Sequence, residues 1–121
     1  MSLKQNQLGK RGENIAATYL KNHGYRVIER NFKKRYGEID CIALKDNILI
    51  FVEVKTRIGI TFGRPEEAVT KRKLQEVIQT GQYYALLHPQ LPTSQRVDVI
   101  AIILNEDERI LSFEHIQNVT G

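Results

Sequence analysis

The sequence belongs to a small, basic chain of 121 residues with a net charge of +4, long enough for one compact domain with a single core. Hydrophobic residues make up 41% and charged residues 26%, which is typical of soluble globular proteins and excludes a disordered or fibrous chain. The longest apolar runs, 48–52 and 99–104, are too short to span a membrane, and the N-terminus has no apolar signal region. We therefore expect a cytoplasmic protein without a membrane partner.

The hydrophobic pattern predicts seven elements in the order α-β-β-β-α-β-β, within one domain over 1–121. In chain order they are a helix over 9–23, strands over 25–32, 37–45 and 48–56, a helix from about 65 to 87, and strands over 96–104 and 109–116. Gly24 ends the first helix, His88-Pro89 ends the second, and Asp46-Asn47 forms a tight turn between strands two and three. The crossover through the second helix makes strands three and four parallel.

The hairpin made by strands two and three brings four charged residues together. With a two-residue turn, paired residue numbers sum to 93, so Asp40 lies opposite Glu53 and Glu38 lies opposite Lys55. Glu53 and Lys55 share one face because strand side chains alternate. The register therefore predicts one polar cluster at one end of an otherwise apolar hairpin.

Two carboxylates that face each other across strands need a compensating positive charge. At about 4 Å and an effective dielectric near 20, they repel each other by roughly 4 kcal/mol. A divalent cation held by oxygen ligands, most simply Mg²⁺, would remove this repulsion. Alternatively, Lys55 and Arg57 neutralise the acids in a surface ion-pair cluster, an arrangement that is common and contributes little.

Three segments of the chain, GKRGENIAATYL, GEIDCIALKDNILIFVEVKTR and EEAVTKRK, resemble the bacterial YraN-type family, which is grouped with the endonucleases of the PD-(D/E)xK superfamily. The resemblance covers about residues 8–104. It implies a restriction-endonuclease-like three-layer α/β core, with a central mixed sheet flanked by helices, similar to that of archaeal Holliday-junction resolvases. Ile39 departs from the motif, because the superfamily has proline at this position.

The resemblance implies a metal-dependent endonuclease that acts on structured or branched DNA. It carries over Asp40, Glu53 and Lys55 as catalytic residues, with Glu13 as an accessory acid. Asp40, Glu53 and the Val54 carbonyl would bind Mg²⁺ or Mn²⁺, and Lys55 would orient the attacking water and stabilise phosphoryl charge. For Glu13 the alternative is an exposed first-turn acid that interacts favourably with the helix dipole.

The distribution of charge favours a polyanionic partner. Residues 1–73 carry 16 Lys/Arg against 8 Asp/Glu, a net of +8, whereas residues 74–121 carry 2 against 6, a net of −4. The residues predicted to contact nucleic acid are Lys10, Arg11, Lys33, Lys34, Arg35, Arg57, Arg64, Lys71, Arg72 and Lys73. We expect DNA rather than RNA, and paired cuts would require a homodimer. Of Tyr83 and Tyr84, one is expected to pack and the other to be free to stack on a base.

Several other residues are assigned structural roles. Asp98 is expected to pair with Arg96, away from the strand end that carries Glu53. Cys41 is interpreted as a small core residue, and strand alternation places Ile39 on the same face as Cys41. The histidines lack metal-ligand spacing and are expected at the surface; they are His23, His88 and His115.

Three functional hypotheses remain. The first is a Mg²⁺-dependent endonuclease, and the alternative is a non-catalytic nucleic-acid-binding module that acts in DNA processing. The third is an interaction partner in DNA processing that other proteins direct to its target. The intact set of Asp40, Glu53 and Lys55 favours the enzyme, because a domain that had lost turnover would tend to lose these residues.

Overall fold

A five-stranded mixed sheet with one helix on each face forms the fold. The computed structural model describes residues 5–59 and 69–121, with residue 5 described by its backbone only. The elements are α1 (Gln5–Asn22), β1 (Arg26–Lys34), β2 (Gly37–Lys45), β3 (Ile48–Ile58), α2 (Lys71–Leu87), β4 (Gln95–Leu104) and β5 (Ile110–Ile116). The strands lie in the order β1-β2-β3-β4-β5, with β3 and β4 parallel and the other neighbours antiparallel. The predicted element order and the parallel crossover are confirmed.

The first helix ends at the glycine that the sequence indicated. Gly24 has a φ of 84°, and the Tyr25 N–H donates to the Leu20 carbonyl at 2.9 Å, which closes the helix in the manner of a Schellman motif. The helix begins four residues earlier than predicted, because Leu8 packs against the core and extends the apolar stripe of α1.

The second helix begins with a cap and three cations. The Thr70 side chain accepts a hydrogen bond from the Lys73 N–H at 3.1 Å, so Lys71, Arg72 and Lys73 form the first turn, which contains no acid. Cations are unfavourable at this positive end of the helix dipole. The predicted start near Pro65 lies outside the described residues, and the predicted end at His88 is confirmed.

No helix in the described ranges is both long enough and apolar enough to cross a lipid bilayer. A cytoplasmic location stays a prediction.

The sheet separates two hydrophobic clusters. On the α1 side, Ala16 and Leu20 pack with residues that include Ile50, Val52 and Ile100. On the α2 side, the cluster contains Val77, Tyr84, Ile42, Leu49 and Phe51. The sheet is therefore covered on both faces, as the apolar strands predicted.

The β2–β3 hairpin has the predicted turn but a shorter ladder than predicted. Asp46 and Asn47 have φ values of 52° and 62°, as in a two-residue type I′ turn. The register runs from Lys45↔Ile48 to Cys41↔Val52, where paired numbers sum to 93. The ladder ends there, so Asp40–Glu53 and Glu38–Lys55 are not ladder pairs.

The break in the ladder coincides with a break in the alternation of side chains. Cys41 packs on the α1 side, but Ile39 packs on the α2 side beside Ile42, so the prediction for Ile39 was wrong. The two strands diverge from regular pairing at Asp40, which lies between these residues. Cys41 is buried, and burial raises the pKa of its thiol to about 11, which confirms its role as an inert core residue.

Candidate metal centre

Asp40 and Glu53 meet where β2 and β3 stop pairing. The Asp40 Oδ2 accepts a hydrogen bond from the Val54 N–H at 2.8 Å, which a continued ladder would have given to the backbone of Ile39. In an extended strand the N–H and C=O of one residue point to the same side, so the Val54 carbonyl is directed toward β2 as well. The Asp40 carboxylate thus takes the place of the Ile39 backbone as the acceptor for the Val54 N–H. This brings the carboxyl groups of Asp40 and Glu53 and the Val54 carbonyl close together.

The carboxyl group of Glu53 is buried, and one of its oxygens has no hydrogen-bond partner in the described part of the chain. Its residue is only 6% exposed, its Oε2 lies 3.5 Å from the Lys73 Nζ, and its Oε1 is buried without a hydrogen-bond partner. Burial, followed by the hydrogen bond and the negative charge of Asp40, raises the pKa of Glu53 to about 9, although Lys73 acts in the opposite direction. The surroundings of Glu53 therefore disfavour its charged form, and the contact with Lys73 offsets this only in part.

The donor atoms at this position fit a magnesium ion. Across residues 5–59 and 69–121, no three His, Cys, Asp or Glu side chains lie close enough to hold one ion. Mg²⁺ does not require such a cage, because it is usually bound through one or two carboxylates and keeps several waters. The unpaired Glu53 Oε1, the Asp40 carboxylate and the Val54 carbonyl are hard oxygen ligands of this kind.

The described residues do not form the alternative surface ion-pair cluster, in which Lys55 and Arg57 would neutralise the acids. Lys55 is half-buried two residues after Glu53, and neither it nor Arg57 makes an ion pair with an acid in the described ranges. The pairing of Glu38 with Lys55 is therefore absent there. Glu53 is also too buried to belong to a surface cluster.

Glu13 joins the same neighbourhood from α1. A Cβ on Gly12 would overlap the Thr56 side chain, so α1 lies directly against the C-terminal part of β3 at this point. Burial, followed by the charges of Asp40 and Glu38, raises the pKa of Glu13. The alternative of a first-turn acid was wrong, because α1 begins at Gln5 and has no acid in its first turn.

The predicted cationic residues are distributed around this end of the sheet. Exposed side chains come from α1 (Lys10, Arg11), the β1–β2 turn region (Lys33, Lys34, Arg35), the end of β3 (Arg57) and the start of α2 (Lys71, Arg72). Within residues 5–59 and 69–121, two of them have acidic neighbours, since Arg11 lies 3.9 Å from Glu108 and Arg72 lies 4.0 Å from Glu76. Arg64 lies outside the described residues.

Lys73 makes a contact within the candidate site that the sequence did not predict. It was assigned to nucleic-acid contacts alone, but it makes the ion pair with Glu53. Thr70 is a recognisable N-cap residue and predicts that Lys73 lies in the first turn of a helix. Only the packing of α2 on the sheet shows that this turn faces Glu53.

Asp98 forms a separate polar network on the α1 side of the sheet. It is fully buried and accepts hydrogen bonds from Arg96 at 2.9 and 3.0 Å, from His115 at 2.8 Å and from the Asn118 N–H at 2.9 Å. Burial opposes its ionisation, but these hydrogen bonds outweigh it and lower the pKa of Asp98. The predicted pairing with Arg96 is confirmed.

Two predictions about this network were wrong. The side chain of His115 is only 6% exposed rather than at the surface, because its ring bridges Asp98 and the Tyr19 hydroxyl, which lies 3.0 Å from its Nδ1. Asp98 is also not distant from the strand end of Glu53, since it pairs with Val52 in the parallel register. The two acids are separated by the sheet itself, because their side chains lie on opposite faces.

Comparison with known proteins gives a family without an assigned activity. The uncharacterised protein family UPF0102 matches residues 12–102. The chain is 46% identical over 101 residues to a UPF0102 protein of Chloroherpeton thalassium (84% of this chain, 78% of the relative). It is 44% identical over 114 residues to one of Clostridium botulinum (92% and 91%) and 45% identical over 120 residues to one of Prosthecochloris aestuarii (96% and 94%). The YraN-type resemblance is thus confirmed at the level of the family.

Proposed function

We propose that this chain, which belongs to the uncharacterised protein family UPF0102, is a metal-dependent endonuclease that hydrolyses phosphodiester bonds in structured or branched DNA. The observation that carries the proposal is the buried, unpaired Glu53 Oε1 beside the Asp40 carboxylate. The mixed five-stranded sheet with a helix on each face is compatible with the restriction-endonuclease-like topology that the resemblance implies, and this compatibility supports the proposal.

Each residue of the centre has a distinct task in this proposal. Asp40, Glu53 and the Val54 carbonyl hold Mg²⁺ or Mn²⁺, and the ion, when bound, supplies positive charge at the scissile phosphate and acidifies water. Glu53 must lose its proton to bind the ion. Lys55, which has no ion-pair partner among the described residues, orients the attacking water and stabilises charge on the phosphoryl oxygens. Glu13 hydrogen-bonds water beside Asp40.

The first turn of α2 supports a polyanionic substrate. Lys71, Arg72 and Lys73 lie at the positive end of the helix dipole, an arrangement that is unfavourable in the free protein. A nucleic-acid phosphate would reverse the sign of this interaction, because both the cations and the helix N-terminus attract an anion. The proposed partner is therefore DNA, and a symmetric dimer would place two such centres on two strands.

A non-catalytic nucleic-acid-binding module is the second candidate. The observation in its favour is that no third carboxylate, histidine or cysteine joins Asp40 and Glu53 closely enough to complete a cluster in the described part of the chain. In this case the cations would bind phosphates, and Glu53 would remain protonated or paired with Lys73.

The decisive experiment is a cleavage assay that compares substitutions at the candidate site with the same Asp→Asn change elsewhere in the β2–β3 hairpin. Purified protein is incubated with Mn²⁺ or Mg²⁺ and labelled junction, flap, single-stranded and duplex DNA, together with RNA. Asp40→Asn is expected to reduce cleavage by about 10²-fold or more, since it weakens the metal ligand set, and Lys55→Ala is expected to do so by about 10²–10³-fold.

The control is Asp46→Asn, which makes the same chemical change in the β2–β3 turn, where the left-handed conformation suits asparagine. It should cleave like the unaltered protein. Binding without cleavage on every substrate, with either metal, would overturn the endonuclease and leave the binding module.

A further inference from the structure

A pair of exposed tyrosines between the β1–β2 turn and α2 has no role in the proposed hydrolysis. Tyr36, in the β1–β2 turn, is 52% exposed, and Tyr83, on α2, is 37% exposed. They share two adjoining clefts of about 270 and 360 Å³. Tyr84, which follows Tyr83 in α2, is buried against Phe32 and His88. The expectation that one of Tyr83 and Tyr84 packs is therefore confirmed.

The chemistry around the tyrosines favours a polyanion that carries rings. The first cleft is lined by Lys34 and Arg35 together with the tyrosines, and the second adds Gln79, Gln82 and Leu86. No acid lines either cleft among the described residues, and neither Lys34 nor Arg35 makes an ion pair within them. Aromatic rings beside unpaired cations are the usual means of holding single-stranded nucleic acid.

The distances of the tyrosines from the candidate centre suit a nucleic-acid strand that contacts both. A Cβ on Gly37 would lie 3.2 Å from the Glu76 side chain, so the β1–β2 turn lies against α2. Tyr36 is about 13 Å of extended chain from Asp40, and Tyr83 is about 15 Å along α2 from Lys73. One strand of B-form DNA advances 3.4 Å per nucleotide, so both distances correspond to about four nucleotides.

We propose that Tyr36 and Tyr83 form a stacking platform for unpaired bases, with Lys34 and Arg35 on the adjoining phosphates. The proposal deepens the endonuclease proposal, because it assigns to the same site a substrate with a single-stranded arm about four nucleotides from the scissile phosphate. The platform discriminates by strandedness rather than by sequence, since every base has a ring face that can stack.

Binding is measured separately from cleavage, so that the two proposals can fail independently. All variants carry Asp40→Asn and are titrated in EDTA with a fluorescein-labelled 12-nucleotide strand, with the same strand lacking its bases, and with a blunt duplex. Tyr83→Ala and Tyr36→Ala are each expected to weaken binding of the normal strand by about 5- to 150-fold, which is the range for one stacked base. Both should leave the abasic strand unaffected.

Two matched variants separate ring stacking from general loss of apolar surface. Tyr83→Phe keeps the ring and should bind like the parent. Leu87→Ala removes an exposed apolar side chain from the same helix outside both clefts, and it should also bind like the parent. Because the chain contains no tryptophan, Tyr83→Trp provides a single indole whose emission should be quenched by the normal strand and not by the abasic one.

Three results would overturn the platform. The first is equal affinity for the normal and abasic strands, and the second is an unchanged affinity in both alanine variants. The third is a change in sedimentation mass in Tyr36→Ala without a change in strand affinity, which would make this face a contact between copies of the chain. If the platform binds as expected but Asp40 is irrelevant to cleavage, the endonuclease proposal fails and the platform remains.

Discussion

At the scale of single residues, the pKa values of two buried acids on neighbouring strands are shifted in opposite directions. Asp98 is surrounded by donors, and its pKa is lowered, whereas Glu53 has one unpaired oxygen and a carboxylate neighbour, and its pKa is raised to about 9. An acid that is buried with an unsatisfied oxygen is costly to the apo protein. We interpret that cost as the consequence of a centre arranged to receive a cation.

Glu53 is expected to make the stability of the metal-free protein depend on pH. Its folded pKa of about 9 lies above the unfolded value of 4.5, so its contribution is fully present below pH 4.5 and is lost as the pH rises through 9. Glu53→Gln cannot ionise, so at pH 9 it should exceed the unaltered protein in free energy of unfolding by roughly 1–3 kcal/mol. Urea unfolding in EDTA at pH 5, 7 and 9 measures this difference.

The exposed acid Glu114 on β5 provides the control, since Glu114→Gln should not alter the pH dependence. Mg²⁺ should stabilise the unaltered protein more at pH 9 than at pH 6, because the ion competes with the proton on Glu53. Parallel pH curves for Glu53→Gln and the unaltered protein would show that Glu53 ionises normally.

At the scale of elements, close approaches of helix and strand position the centre. Gly12 lets α1 lie on Thr56 of β3, two residues after Val54, and so brings Glu13 toward Asp40. On the other face, Gly81 lets α2 lie on Phe51, since a Cβ there would be 2.7 Å from the ring, and the same helix brings Lys73 to Glu53. The two helices thus hold charged groups against one strand end from both sides.

Two glycines in α1 should respond in opposite directions to the same substitution. Gly12→Ala forces a Cβ into the Thr56 side chain and should lower the free energy of unfolding by about 1–3 kcal/mol. Gly9→Ala meets no atom of the described residues within 4 Å and should raise it by about 0.5–1 kcal/mol, because alanine favours the helix. Urea unfolding of both variants tests the contact, and stabilisation by both would show that α1 does not approach β3 this closely.

At the scale of the whole molecule, the sheet separates two groups of polar side chains, one around Asp98 and one around Glu53. Val52 pairs with Asp98 and the next residue, Glu53, pairs with Val99, so the two acids differ by one position along the strands but project to opposite faces. One system ties β4 to α1 and β5 through Arg96, His115 and Tyr19. In the other, Glu53 lies on the α2 side, where Lys73 contacts it, and Glu13 of α1 approaches Asp40.

Asp98→Asn should therefore affect stability without affecting the proposed metal binding at Asp40 and Glu53. Removing one partner of a buried, hydrogen-bonded charge pair is expected to cost about 3–5 kcal/mol at neutral pH. The difference should shrink as the pH falls through the lowered pKa of Asp98, because the unaltered carboxylate then becomes protonated too. Urea unfolding gives the cost, and the shift in melting temperature on adding Mn²⁺ gives the metal affinity.

The exposed turn residue Asp107 is the matched control, and Asp107→Asn should be neutral in both measurements. A loss of Mn²⁺ response in Asp98→Asn, in protein that is still folded, would show that the two faces are coupled.

The sequence by itself determined the order of the elements and the register of the β2–β3 hairpin from its turn as far as Cys41↔Val52. Alternation, turn residues and the Gly24 stop are local properties, so they predicted strands that agree with the structure to within a few residues. The side chains that require two distant segments to pack could not be derived in this way. The contact of Lys73 with Glu53, the burial of His115 and the break in alternation at Asp40 all depend on which helix covers which face. Only the tertiary structure decided these, because local pattern records which residues are apolar but not which partner lies opposite them.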